Sequence, residues 1–240
     1  MKIKKITHPQ AFELRQSRID AAIVTGKPLI ERPHYYEHVE TGQQYHDLFG
    51  CVGYPNAITD KNKASNKPGY IAIVGIIKNT DSPQKSPFRI MAEFESDNLH
   101  TLFNEMIKMR EEFGFGLHPD LLQAWYGDCD RFITELSLFN EELIKAGGEE
   151  KAILIIPPED FNNPKAFDIY IRAITRALNK DSQRLYYGGN AILKNRVREF
   201  MDKDPVIIGM GGLVHSLLSR TAWMDSATNS NCFTLEEANG

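Results

Sequence analysis

The unbroken apolar run Tyr70-Ile71-Ala72-Ile73-Val74-Gly75-Ile76-Ile77 constrains this chain more than any other segment. It is far shorter than the ~20 apolar residues of a membrane span. Its β-branched residues favour a strand, and its lack of polar alternation points to burial on both faces. Such a strand needs cover on both sides, so the sheet around it lies between layers of other elements.

The flanking sequence supplies those elements. Leu48–Gly53 reads as a strand, joined to the apolar run by a polar hairpin loop from Pro55 to Pro68. Phe88–Phe94 alternates as a third strand. A helix follows, capped by Ser96 or Asp97 and carrying Leu99, Leu102, Phe103, Met106 and Ile107 at helical spacing as far as Phe113. Leu121–Tyr126 is a fourth strand, Phe132–Ile144 a second helix and Ala152–Ile156 a fifth strand. Beyond them come a helix near 163–179, an extended piece at Arg184–Tyr187 and a helix at Ala191–Met201. The last helix has Asp204 as its cap and Pro205 at its first position, and runs to about Ala222. Residues 1–43 form an arm or added layer, with a short helix at Ala11–Ala22 and extended chain at Glu31–Tyr36. Residues 44–224 form the main domain, and 225–240 a polar, loose tail.

This order gives a mixed five-stranded α/β sheet flanked by helices, with extra helices at the C-terminal end. It is the element order of the RNase H-like fold. Folds do not dictate function, so the chemistry has to come from particular residues.

Nuclease sites of that fold class hold two divalent ions with hard oxygen ligands at strand ends and on a late helix. Asp128 directly follows the fourth strand, where its carboxylate either serves as a ligand or caps the following helix. Asp204 poses the same choice at the last helix. Glu93, Glu95 and Asp97 follow the third strand, and Asp47 is the acid near the start of the first. No HExxH, GxxxxGK[ST] or GxSxG motif occurs. His215 lies among Leu213, Val214, Leu217 and Leu218 and reads as a core or interface histidine.

A formal net charge of −4 gives nucleic acid no overall attraction, so a DNA contact requires a local patch. The window 172–203 provides one. Arg172, Arg176, Lys180, Arg184, Lys194, Arg196, Arg198 and Lys203 outnumber Asp181, Glu199 and Asp202, with Tyr186 and Tyr187 among them. Lys61 and Lys63 in the hairpin loop offer a second contact. Cys51, Cys129 and Cys232 form no metal-binding spacing and suit a reducing compartment. The basic Met1–Lys5 is followed by no apolar stretch, so the expectation is a cytoplasmic protein without a membrane partner.

Taken in order, four segments resemble the nuclease domain of phage large terminase subunits, without that family's ATPase half. They are GYIAIVGII…FRIMAEFE, LLQAWYGD, AFDIYIRAITRAL…QRLYYGG…LKNRVREF and KDPVIIGMGGLVHSLL, and the likeness covers roughly Tyr45 to Met224. It implies a metal-dependent DNA endonuclease of phage or prophage packaging, using two Mg²⁺ or Mn²⁺ ions, with DNA and packaging proteins as partners. The family's fourth-strand acid falls on Asp128 and its late-helix acid on Asp204, with Glu93 as the third catalytic candidate and Asp47 and Glu95 as further ligands. The family's first-strand aspartate has no counterpart, because LFGCVGYP presents Gly53 or Tyr54 there. That departure motivates the alternative of a catalytically inactive module that binds DNA or packaging proteins.

Overall fold

The apolar run forms β4 (Gly69–Ile77), buried along nearly its whole length at the middle of a sheet. The structure, a computed structural model, describes residues 3–7, 34–55, 67–77, 87–113, 124–148, 152–179, 184–187, 191–197 and 204–219. β4 is flanked by antiparallel β3 (Gln44–Gly53) and β5 (Phe88–Ser96). β6 (Ala124–Gly127) runs parallel to β3, and β7 (Leu154–Ile156) runs parallel to β6. β8 (Leu185–Tyr186) lies parallel to β5 at the other edge.

The sheet has eight strands among the described residues, which corrects the expected five. The extended piece at Arg184–Tyr187 joins it as β8. Two more strands come from the N-terminal segment. β1 (Ile3–Thr7) pairs with β2 (His34–His38), and β2 pairs with the start of β3 through Tyr36↔Tyr45 and Glu37↔Gln44. β2 and β6 therefore share one flank of β3, β2 at its beginning and β6 at its end through Gly50↔Trp125. The helix expected at Ala11–Ala22, the loop carrying Lys61 and Lys63, and the tail lie outside the described residues.

The period of two along β4 divides the core. Tyr70, Ala72, Val74 and Ile76 face α3 (Ala166–Leu178) and the helix α5 at 205–219, meeting Tyr170, Ile174, Ile207 and Met210. Ile71 and Ile73 face the opposite way, toward α1 (Leu99–Phe113) and α2 (Ile133–Lys145), where Leu102, Phe103, Met106 and Phe139 wait. The result is a mixed, open, mostly antiparallel sheet flanked by helices.

Two caps differ from expectation. Asn98, and neither Ser96 nor Asp97, caps α1, since its Oδ1 accepts the Thr101 N–H at 2.9 Å. Ser96 Oγ supports it by accepting the Asn98 N–H. Asp128 Oδ1 accepts the N–H groups of Asp130 and Arg131 at 3.1 and 3.0 Å, closing a turn ahead of α2 and not the helix itself.

α5 opens at Pro205 and widens to π geometry over Ile207–Gly211. A Cβ built on Gly209 would come 2.9 Å from the Val52 carbonyl carbon, so this helix rests on the β3 backbone without an intervening side chain. No helix among the described residues is long and apolar enough to cross a membrane.

Candidate functional site

β3, β5 and β6 all run in one direction, and their last residues, Gly53, Ser96 and Gly127, end at the same edge of the sheet. Paired residues share a face. Cys51, Ala72 and Glu93 form one row, and Gly53, Tyr70 and Glu95 the next, both toward α5. Topology thus gathers four of the predicted acids, Asp128, Glu93, Glu95 and Asp204, at one edge. Asp47 sits in β3 six positions before Gly53, roughly 20 Å away along an extended strand, and its side chain lies outside the described residues.

The side chains in this region are engaged as follows. Glu93 accepts the Tyr70 hydroxyl at 2.6 Å and the N–H groups of Ile192 and Leu193 at 2.9 Å each. It therefore fastens the start of the short helix α4 (Ile192–Val197) to the sheet. Asp204 is fully buried. Its Oδ1 accepts the Val206 N–H and one guanidinium nitrogen of Arg196, both at 2.9 Å. The other terminal nitrogen of Arg196 donates to Glu95 Oε2 at 3.0 Å and to the Pro68 carbonyl at 2.9 Å. Two of the expected metal ligands, Glu95 and Asp204, do come together, and what they meet is an arginine. Asp204 Oδ2 is buried with no hydrogen-bond partner among the described residues.

Arg196 was expected at a DNA surface. It is 6% exposed and held by two carboxylates, so it is withdrawn from any such surface. Arg172 and Arg176 do lie exposed on α3, Arg184 and Lys194 are half-buried, and Tyr186 and Tyr187 are both exposed. Arg198, Lys61 and Lys63 lie outside the described residues. His215 Nε2 lies 2.8 Å from Asp160 Oδ2, and its ring packs on Tyr170, which gives that histidine a structural partner.

At Gly53 the backbone of α5 lies directly against β3. A Cβ on Gly53 would overlap the Pro205 carbonyl group, lying 2.5 Å from its carbon and closer still to its oxygen. A two-metal carboxylate site does not fit these residues as they stand. Glu93 and Asp204 are committed to backbone N–H groups, Asp204 and Glu95 to Arg196, and Gly53 has no room for a side chain. Among the described residues no group of three or more His, Cys, Asp or Glu is placed to hold a metal ion. Comparison with protein-family models, curated proteins and solved structures finds no match to this chain.

Burial shapes the titration of this edge. It pushes the Cys51 thiol well above its ordinary 9.0, with a further rise from the Glu93 charge. Tyr70 is likewise pushed well above 10.0, first by burial and then by Glu93. Tyr54 rises through burial and the Asp128 charge, and Tyr170 through burial and the Asp160 charge. A raised pKa in the folded state leaves stability intact below the unfolded pKa and removes it as pH climbs. The unfolding free energy from urea titration is therefore expected to stay flat from neutral pH to about 9 and then fall, by up to about 1.4 kcal/mol per pH unit for each such group, with the midpoint falling in step. A midpoint that holds steady well above pH 10 would count against this placement of Cys51 and Tyr70.

Proposed function

We propose that this chain is an RNase H-like module, similar to the nuclease domain of phage packaging terminases, that holds DNA without cutting it. The strand order β5-β4-β3-β6-β7 supports the fold reading. Three antiparallel strands come first, followed by two crossover strands parallel to the first of them. The observation that carries the functional reading is the contact between Gly53 and Pro205, which puts backbone where a first-strand ligand would stand. Removing one ligand from a two-metal site removes the tightly held ion and its activated water. DNA contact is supported by the exposed Arg172 and Arg176 on α3 and the exposed tyrosines of the adjoining β8 segment.

A second reading, a metal-dependent endonuclease of DNA packaging, draws on the gathering of Asp128, Glu93, Glu95 and Asp204 at one sheet edge. Plasmid incubation with Mn²⁺, Mg²⁺ or EDTA, beside Asp128→Ala, separates the two. The expected result is intact plasmid throughout. Cutting that needs metal and disappears in Asp128→Ala would establish the endonuclease instead. In parallel, DNA affinity should fall steeply with salt. Replacing Arg172 and Arg176 together by alanine should lower the slope of log K against log salt by about 1.8, the share of two phosphate contacts. An unchanged slope would move the DNA surface elsewhere, and an absence of DNA binding would favour packaging proteins as the partner.

A further inference from the structure

We infer that the guanidinium of Arg196 is a built-in counter-cation that occupies, and so keeps closed, an oxygen-lined divalent-cation site. The inference concerns the ion cluster and does not depend on DNA binding.

The surroundings of Arg196 are the donors a hard cation uses. Glu95 Oε2, Asp204 Oδ1 and the Pro68 carbonyl oxygen converge on its two terminal nitrogens at 2.9–3.0 Å. Carboxylate and carbonyl oxygens are also the ligands that Ca²⁺, Mn²⁺ and Mg²⁺ prefer. They come from separate parts of the chain, the end of β5, the start of α5 and the approach to β4, so the fold holds them together and not merely their sequence neighbours. A second observation is independent of the arginine. Asp204 is fully buried, and its Oδ2 finds no hydrogen-bond partner among the described residues. Such an oxygen is costly to bury and is one lone acceptor short of satisfaction. A cation larger in charge than the guanidinium, placed in the same volume, could use it.

The cluster also has a way in. An open cavity of about 310 Å³, lined by Lys67, Pro68, Glu95, Ile192, Asn195 and Arg196, lies against the cluster, with fully buried Asp204 behind it. Glu95 is 42% exposed in its side chain, so it can swing to a smaller ion without disturbing the core. Removing the arginine side chain would leave Glu95 and Asp204 without the guanidinium that bridges them beside that opening. Two carboxylates left in that state bind a divalent ion or take up a proton.

The test uses the full chain, with Mn²⁺ alone as the probe, read by thermal melting and by the paramagnetic resonance of free Mn²⁺. The natural protein should bind no Mn²⁺ at this cluster and show no shift in melting temperature. Arg196→Ala should melt lower without metal and rise by roughly 3–6 °C with Mn²⁺ at ten times its Kd. Adding Asp204→Asn to that variant should abolish the rise. Arg196→Met, which keeps the aliphatic stem, is the companion in case the alanine variant does not fold. A variant that refolds from urea only when Mn²⁺ is present also supports the inference. Three results overturn it. One is a Mn²⁺-dependent rise in the natural protein that Asp204→Asn removes, which would place the ion beside Arg196. The second is a folded Arg196→Ala or Arg196→Met that ignores Mn²⁺. The third is failure of both variants to fold in either condition.

Discussion

Gly53→Asp, the substitution that would place a carboxylate at the end of β3, is expected to unfold the protein and give no metal-dependent cutting. The new Cβ would run into the carbonyl group of Pro205, a backbone atom with no rotamer to change. Overpacking that side chains can absorb costs about 1–3 kcal/mol. Here α5 would have to lift from β3, breaking the contacts of Val206, Ile207 and Met210 with the sheet, all buried. The expected cost is more than about 4 kcal/mol, the range reserved for disruption of a core. Gly53→Ala should be nearly as damaging, because the clash arises at Cβ and not at the carboxylate. The urea midpoints of both variants decide the point. A stably folded Gly53→Asp that acquires Mn²⁺-dependent cutting would sink the reading of this edge as closed.

The second large effect is expected at Glu93. In Glu93→Ala the Tyr70 hydroxyl and the N–H group of buried Leu193, together with that of partly buried Ile192, lose their shared acceptor. Each unsatisfied buried donor costs about 1–3 kcal/mol, and these three belong to one network, so roughly 3–5 kcal/mol is expected in total. Glu93→Gln keeps one carbonyl oxygen in place and should cost about half as much. A residue serving only as a metal ligand would behave differently, because its removal would leave the midpoint unchanged without metal. Denaturant titration in EDTA distinguishes the two roles directly.

The parts of this architecture readable from sequence are those set by neighbouring residues. Tyr70–Ile77 carries its strand in its own composition, and α1 carries its buried face in Leu102, Phe103, Met106 and Ile107. The crossover order follows from the alternation of such segments. β1 escaped because Lys4 and Lys5 give no apolar alternation, and β2 was legible only as extended chain at Glu31–Tyr36; they become strands of the sheet because β2 pairs with β3 and β1 with β2. Arg196 was misread for a related reason. A cluster of basic residues in the sequence does not say which of them folds inward, and Arg196 does so where Glu95, from a distant strand, and Asp204, eight residues further on, both meet it. The edge acids were legible as a set, since each follows a strand or opens a helix. Their engagement was not, because the closing contact pairs Gly53 with Pro205 from the far end of the chain.

The shared flank of β3 has a consequence for how the protein assembles. β3 takes one neighbour from before it in the chain and two from after it, and the last of these, β6, is roughly 75 residues downstream, a long loop to close. During synthesis the hairpin of β3 and β4 can form early, but the edge of β3 near Gly50–Val52 has to wait until Trp125–Gly127 has emerged. Until then an apolar strand presents unpaired N–H and C=O groups to whatever is nearby, which makes this interval the one most exposed to aggregation. Folding yield should therefore respond more to the rate at which β6 is delivered than to the intrinsic strength of the central strands.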